Sequence, residues 1–121
     1  MKKLVFVCIF LGFVTQAFAQ ISEKQLMGTW KYTVMTDQGP LTGVLNFDEK
    51  EGKIAGEVVS SEGQSWNMDS LELREENIVY FEIVPEAETF VSTLKFEGDA
   101  FEGMTGPSHT QFTVTGERLK E

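Results

Sequence analysis

Apolar and polar residues alternate along most of the chain, and turn-forming residues interrupt the alternation every ten to fifteen positions. Alternation with a period of two is typical of β-strands that bury one face. The links between the segments are short, so we expect consecutive strands to pair antiparallel in a meander. The pattern predicts an all-β fold, an eight-stranded antiparallel up-and-down barrel. The predicted strands span residues 29–36, 41–48, 53–60, 64–72, 77–84, 88–96, 99–105 and 109–119.

Each predicted strand has one apolar and one polar parity, which indicates a sheet wrapped around its own core. Closure removes exposed sheet edges, and the interior of an eight-stranded barrel is filled by side chains or holds one small ligand. The predicted inward set is Trp30, Tyr32, Val34, Leu45, Phe47, Ile54, Val58, Trp66, Met68, Val79, Phe81, Ile83, Phe90, Leu94, Phe96, Phe101, Phe112 and Val114.

Glycine also occurs on the inward parity, at Gly43, Gly56, Gly103 and Gly116. One interpretation is that these glycines let the strands bend as the barrel closes. The other is that they leave room for a ligand. The bend is the simpler explanation.

Arg118 shares the inward parity of the last predicted strand, where a lone guanidinium has to be paired or stacked. In a closed barrel of eight strands, the last strand lies beside the first. We therefore expect Arg118 to stack on the indole of Trp30 and to join the two ends of the sheet.

The segment before the first strand predicts one short helical turn, roughly from Glu23 to Met27. Ser22 is placed as its N-cap and Gln25 follows three residues later, which is the spacing of a capping box. We expect this turn to close one end of the barrel.

The first nineteen residues have the composition of a cleaved signal peptide. Lys2 and Lys3 form a basic start, an apolar run follows, and Ala17-Phe18-Ala19 is a small-x-small cleavage motif. The run is too short to span a bilayer as a mature helix. Cys8 lies inside the run instead of ending it, which favours simple export over lipid attachment. The expected mature chain is one domain over 20–121, located in the periplasm or outside the cell.

Removal of Lys2 and Lys3 leaves 8 of the 10 basic residues against 19 acidic ones, a net charge of −11 for the expected mature chain. Such acidity repels nucleic acid and anionic membrane surfaces. General solubility explains the charge more simply than a specific cationic partner does. The mature chain also has no cysteine, so its core has to hold the fold without disulfides.

Gly28-Thr29-Trp30 after a helical turn, the eight-strand meander and the late Arg118 together resemble the calycin superfamily of lipocalins, fatty-acid-binding proteins and avidins. The resemblance covers about residues 22–119. It implies a lipocalin-like barrel, of the short exported bacterial type, whose lumen binds small and mostly apolar molecules. The chain departs from the pattern in being shorter than a typical lipocalin and in lacking a helical lid segment. Its loop Asp37-Gln38-Gly39-Pro40 also lacks the polar composition of avidin-like biotin sites.

No set of residues assembles a catalytic or metal site, so we expect a protein that is not an enzyme and has no cofactor. His109 is the only histidine, and one imidazole without cysteine partners does not make a zinc site. It follows Ser108 in a predicted loop, and adjacency in sequence does not make a nucleophile–base pair. The acidic pairs Asp48-Glu49 and Glu75-Glu76 are predicted to be solvated turns without the spacing of an EF-hand.

Two function hypotheses remain open. The first is an exported binding protein for a small apolar or amphipathic molecule at one open barrel end. The second is a protein-interaction or inhibitor module with a filled barrel, which would use its loops or an outer apolar patch. The expected ligand contacts are Trp30, Tyr32, Phe81, Phe90, Ser92 and Phe112, with Tyr32 and Ser92 orienting the ligand. The outer patch would consist of Val44, Val59, Val91, Ile78 and Tyr80.

Overall fold

The computed structural model describes residues 21–119, which form one antiparallel sheet of nine strands preceded by one short helix. The helix is α1 (Glu23–Leu26), and the strands are β1 (Gly28–Thr36), β2 (Gly39–Lys50), β3 (Lys53–Ser60), β4 (Ser65–Asn67), β5 (Asp69–Arg74), β6 (Ile78–Ile83), β7 (Phe90–Glu97), β8 (Ala100–Pro107) and β9 (Phe112–Arg118). The predicted signal peptide, residues 1–19, lies outside the described residues.

The sheet curls so that the first and last strands are neighbours. Its order is β4-β3-β2-β1-β9-β8-β7-β6-β5, and the pairing of β1 with β9 sets Trp30 opposite Arg118. Every other pairing joins strands that follow each other in sequence, as expected for short hairpins. The predicted all-β antiparallel up-and-down barrel is confirmed, with nine strands instead of eight.

The additional strand arises because the predicted strand 64–72 is two strands with different partners. β4 pairs with β3, whereas β5 pairs with β6, so this one segment supplies both edges of the sheet. Within the described residues, β4 and β5 do not pair with each other, and the barrel is therefore nearly closed. The amide of Met68 donates a hydrogen bond to the carbonyl of Gly56 at 2.9 Å where the two strands separate.

A β-bulge at the start of β5 changes which parity faces the core. Ser70 has a φ of 54°, and the register with β6 shifts between Asp69 and Glu72. An extra residue of this kind moves all following side chains to the other face. Leu71 and Leu73 accordingly pack against the core, whereas a strict period of two assigns only the even positions of this segment to it.

The predicted helical turn and its capping box are present. The Ser22 hydroxyl accepts a hydrogen bond from the Gln25 amide at 3.1 Å, and the Ser22 amide donates to the Gln25 side chain at 3.1 Å. Leu26 is completely buried and Ile21 is buried. The turn therefore closes one end of the barrel, hereafter the closed end, and supplies core side chains that strand alternation did not reveal.

An aromatic cluster fills the interior beneath α1. Trp30 is completely buried, its ring centroid lies 4.8 Å from that of Phe96 in an edge-to-face arrangement, and Phe101 lies 6.0 Å away. The indole nitrogen donates to the carbonyl of Leu26 at 2.9 Å. This bond satisfies the one polar atom of the buried ring.

Arg118 stacks on Trp30, as predicted from the sequence. Its guanidinium carbon lies 4.2 Å from the Trp30 ring centroid. The guanidinium also donates to the carbonyl oxygens of Met27, at 2.7 Å, and Gln25, and to the carboxylate of Asp99, at 3.0 Å. One side chain of β9 thus holds together the end of α1, the hairpin between β7 and β8, and the first strand.

Gly28 makes room for this arrangement at the junction of α1 and β1. Its φ is 113°, a conformation that favours glycine, and a β-carbon there would lie 3.2 Å from Arg118 Nη1. The Gly-x-Trp segment therefore combines a backbone turn, a close approach of the guanidinium and the ring on which it stacks.

The inward glycines are occupied by neighbouring protein groups and not by open volume. A β-carbon at Gly43 would overlap the Tyr32 ring, and one at Gly116 would overlap the Phe101 ring. The two remaining positions are equally crowded, by Met68 and Phe47 at Gly56 and by the backbone of Thr93 and Leu94 at Gly103. Close packing as the strands bend, and not space for a ligand, explains these glycines.

Two predicted turns have different outcomes. Glu75–Asn77 is a tight 3-10 turn between β5 and β6, as expected. Asp48-Glu49, in contrast, lies within β2, because that strand continues to Lys50 and the turn falls at Glu51-Gly52.

We expect Trp30→Ala to lower the free energy of unfolding by about 3–5 kcal/mol, because it removes the ring at the centre of the closed-end core. Urea unfolding monitored by far-UV circular dichroism measures this change. Thr115→Ala, an exposed change on β9, serves as the control and should stay within about 0.5 kcal/mol. An unchanged urea midpoint for Trp30→Ala would contradict the role given to this ring.

We expect Arg118→Lys to lower the free energy of unfolding by about 1.5–3 kcal/mol, because an ammonium cannot both stack and reach two carbonyls and a carboxylate. Arg74→Lys is the matched control, since Arg74 also lies 4.2 Å from a ring centroid, that of Tyr80, but is exposed. Its loss should stay below about 1 kcal/mol. Equal losses for the two variants in urea unfolding would show that Arg118 is an ordinary surface cation.

Candidate ligand-binding lumen

The end of the barrel opposite α1, hereafter the open end, contains a cavity of about 390 Å³. Four hairpins surround it, at residues 37–38, 61–64, 84–89 and 108–111. The aromatic cluster under α1 fills the other half of the interior. The lumen is therefore a cup with a floor, and not a channel.

Five of the six predicted ligand contacts line this cavity: Tyr32, Phe81, Phe90, Ser92 and Phe112. They come from four different strands, and the common inward parity brings them together. Trp30 is the exception, because it lies in the closed-end cluster and does not line the cavity. Trp30 instead stacks with Arg118 where the first and last strands pair, which is the other role expected of it.

Further lining residues were not singled out as ligand contacts from the sequence. Trp66 is half-buried on β4 and faces the cavity, in keeping with its inward parity. Thr105 became apparent only from the register, which places it opposite Ser92. The wall also includes Val34, Leu41, Leu45, Val58, Ile83 and Val114.

Most polar groups that line the lumen are hydroxyls, and Glu62 and Gln64 in the 61–64 hairpin add a carboxylate and an amide. Ser92 is almost completely buried, and its hydroxyl lies 2.7 Å from that of Thr105, so each satisfies the other. The Tyr32 hydroxyl has no hydrogen-bond partner among residues 21–119. Burial raises the pKa of Tyr32 above its ordinary value of 10, which keeps the phenol neutral and able to donate. Tyr32 is thus the lumen group best placed to orient a ligand.

A second concavity, of about 490 Å³, lies at the closed-end side of β1–β4. Although it is larger, three of its polar side chains already bond to one another. Thr29 donates to Asn46 at 2.8 Å, and Asn46 donates to Glu57 at 3.1 Å across three adjacent strands. We favour the lumen as the ligand site because it is mostly apolar and its Tyr32 donor is free.

The expected outer patch is not continuous. Val44 and Val59 face each other on β2 and β3, whereas Ile78, Tyr80 and Val91 lie on β6 and β7. β1, β9 and β8 separate the two groups in the sheet. The larger group is also partly covered, because Arg74 stacks over Tyr80.

His109 is exposed in the hairpin between β8 and β9, as expected for a loop histidine. Within residues 21–119, no group of three or more His, Cys, Asp or Glu side chains is placed to hold a metal ion. Over the same range, no helix has the length and apolarity that crossing a membrane requires.

Comparison with known proteins finds similarity at the level of structure alone. No family model and no curated protein sequence matches the chain. A redesigned β-barrel aligns with a TM-score of 0.60 and 16% identity over 81% of this chain and 95% of that one. A de novo designed fluorescence-activating β-barrel aligns with a TM-score of 0.56 and 19% identity, over 80% of this chain and 96% of that one. A redesigned β-barrel bound to DFHBI, mFAP1, aligns with a TM-score of 0.57 and 12% identity, over 80% of this chain and 97% of that one. These similarities establish the barrel fold, while the calycin relationship stays a resemblance.

We expect Tyr32 to ionise above pH 10 in the folded protein and near pH 10 in urea. The chain has two tyrosines, so Tyr80→Phe leaves Tyr32 as the only phenol, and its ionisation can be followed by absorbance at 295 nm. The unfolded chain ionises first as the pH rises, so Tyr32 lowers the free energy of unfolding above pH 10. A folded-state midpoint at or below 10 would contradict its placement in the lumen.

Proposed function

We propose that this protein binds a small apolar or amphipathic molecule in the open half of its barrel and catalyses no reaction on it. The observation that carries the proposal is the cavity of about 390 Å³ above a closed floor. Small-molecule sites typically enclose roughly 300–1,000 Å³ and combine apolar walls with a few polar groups. The lumen has this composition, with aromatic and aliphatic walls and a few hydroxyls, which include those of Tyr32, Ser92 and Thr105.

The structural neighbours support binding in a lumen at a general level. Two of the similar barrels are described as bound to DFHBI, a small molecule. A barrel of this fold is therefore able to hold a small ligand, although sequence identities of 12% and 15% carry over no contact residues.

The rim of the cup favours entry of an apolar group. Leu41, near the start of β2, lines the cavity and is 58% exposed. It extends the apolar wall of the lumen outward. An interaction module with a filled barrel is the second candidate, but the cavity and the divided outer patch both favour ligand binding.

We propose that binding takes place after export, in the periplasm or outside the cell. The composition of residues 1–19 supports this proposal. Small-molecule capture by a cysteine-free barrel is also compatible with an oxidising compartment, since the expected mature chain has no thiol to oxidise.

We expect Val34→Trp to weaken binding of the neutral fluorescent probe N-phenyl-1-naphthylamine by at least about tenfold. This corresponds to a loss of about 1.4 kcal/mol of binding free energy. Val34 is half-buried on β1 and lines the cavity, so the larger side chain occupies ligand volume. Fluorescence titration of the mature protein measures the dissociation constant.

The matched control is Val44→Trp, the same change at a half-buried position on the outer face of β2. It should leave probe affinity within about twofold, since it leaves the lumen unchanged. Equal loss in both variants would place the probe on the outer surface. If the wild-type protein binds neither the probe nor a neutral amphiphile, the proposed function is wrong.

A further inference from the structure

We propose that the lumen selects amphipathic cations, molecules with an apolar chain or ring and one ammonium group, over the corresponding carboxylates. This inference rests on the proposed function, because the apolar part of the ligand occupies the same cavity. It adds a charge preference that the cavity volume alone does not imply.

The lumen offers no cationic partner to an anionic ligand. Among the described residues that line the cavity there is no Lys, Arg or His, and Glu62 is the one charged side chain. A carboxylate brought into this site without a cation loses hydration that the lining hydroxyls and the Gln64 amide replace only in part. A ligand with a neutral or positive head group avoids this cost.

The open-end hairpins carry only negative charge. Asp37 lies in the first, Glu62 in the second, and Glu86 and Glu88 in the third, and all four side chains are exposed. The fourth hairpin contains His109, which is formally neutral at pH 7. Carboxylates of one sign around an apolar cleft focus the potential at its entrance.

The basic residues of the described chain are at the other end or on the outer wall. Lys24 is on α1, Lys50 and Lys53 flank the β2–β3 hairpin, Arg74 ends β5, and Arg118 ends β9. The remaining two, Lys31 and Lys95, are exposed on the outer faces of β1 and β7. A charge that serves only solubility needs no such segregation. The absence of lysine and arginine from all four open-end hairpins is what makes the rim selective.

The walls at the entrance suit an ammonium group as well. Phe90 and Phe112 are the first residues of their strands at the open end, and Trp66 lies near the start of β4. All three are half-buried and line the cavity. Aromatic faces attract cations, most strongly where water is partly excluded. An ammonium at the entrance can thus lie near aromatic rings and rim carboxylates while its apolar part fills the lumen.

The test compares three ligands with the same ten-carbon chain and different head groups: decylammonium, decanol and decanoate. Each displaces N-phenyl-1-naphthylamine from the mature protein at pH 7, below its micelle concentration. We expect affinity to fall in that order, with at least about a tenfold difference between the two ions in 20 mM NaCl. Because the rim is solvent-exposed, the difference should shrink in 500 mM NaCl, where screening acts over a few ångströms.

Two charge-matched variants locate the effect. The rim variant combines Asp37→Asn, Glu62→Gln, Glu86→Gln and Glu88→Gln. The control variant removes four exposed carboxylates at the closed end, through Glu51→Gln, Glu75→Gln, Glu76→Gln and Glu97→Gln. The rim variant should bring the ratio of decylammonium to decanoate affinity to within about threefold of unity and leave decanol unchanged. The control variant should retain the wild-type ratio, apart from a weaker effect of net charge.

The possible outcomes separate this inference from the function on which it rests. If decanol and the fluorescent probe bind but decanoate binds as tightly as decylammonium, the charge preference is wrong and the binding function stands. Equal effects of the rim and control variants would likewise overturn it, since net charge would then suffice. If the rim variant does not fold by circular dichroism, Glu62→Gln alone provides the test, and an unchanged ion ratio would overturn the inference.

Discussion

The stack of Arg118 on Trp30 is the constraint on which the rest of this barrel depends. The guanidinium of the last strand contacts the ring of the first, and its nitrogens bond to carbonyls at the end of α1 and to Asp99 in the β8 hairpin. A planar cation can make all of these contacts at once, whereas a point charge cannot. The helix, the joining strands and the core beneath them are therefore fixed together at one end.

That fixed end determines where a ligand can be accommodated. The closed end is filled by the aromatic rings of Trp30, Phe96 and Phe101, which pack beside α1. The guanidinium of Arg118 covers the Trp30 ring on the side away from the cavity. A barrel of this size is able either to fill its interior or to hold one small ligand. Here one half of the interior is filled by side chains and the other half is a cavity. Because side chains fill the closed end, the cavity is shallow. The open-end hairpins consequently lie close to any molecule bound in the lumen.

The sequence predicted the fold well because strand alternation is a local signal, and the Trp30–Arg118 pair, although distant in sequence, follows once a closed barrel places the last strand beside the first. It failed at residues 64–72, where Met68 and Leu71 are an odd number of positions apart. Two core residues at an odd spacing on one predicted strand indicate a β-bulge between them. A prediction that assumes strict alternation cannot detect it. It also missed Leu26, which is buried by tertiary contact with the barrel end. For the site, inward parity identified Tyr32 and Phe112, but only the three-dimensional packing could show that Trp30 belongs to the floor.

Net charge is a weaker guide than the distribution of charge, and this chain shows why. A count of acidic and basic residues suggests solubility, and alternation along strands gives no indication of which hairpins share an end. The up-and-down topology assigns alternate hairpins to opposite ends, so lysines at 50 and 53 and acids at 37 and 62 are separated by the length of the barrel. Arg118 is in addition committed to carbonyls and Asp99. The cation of the closing stack therefore lies at the end opposite the mouth, and the acidity of the rim follows from the residues that the topology assigns to the open-end hairpins.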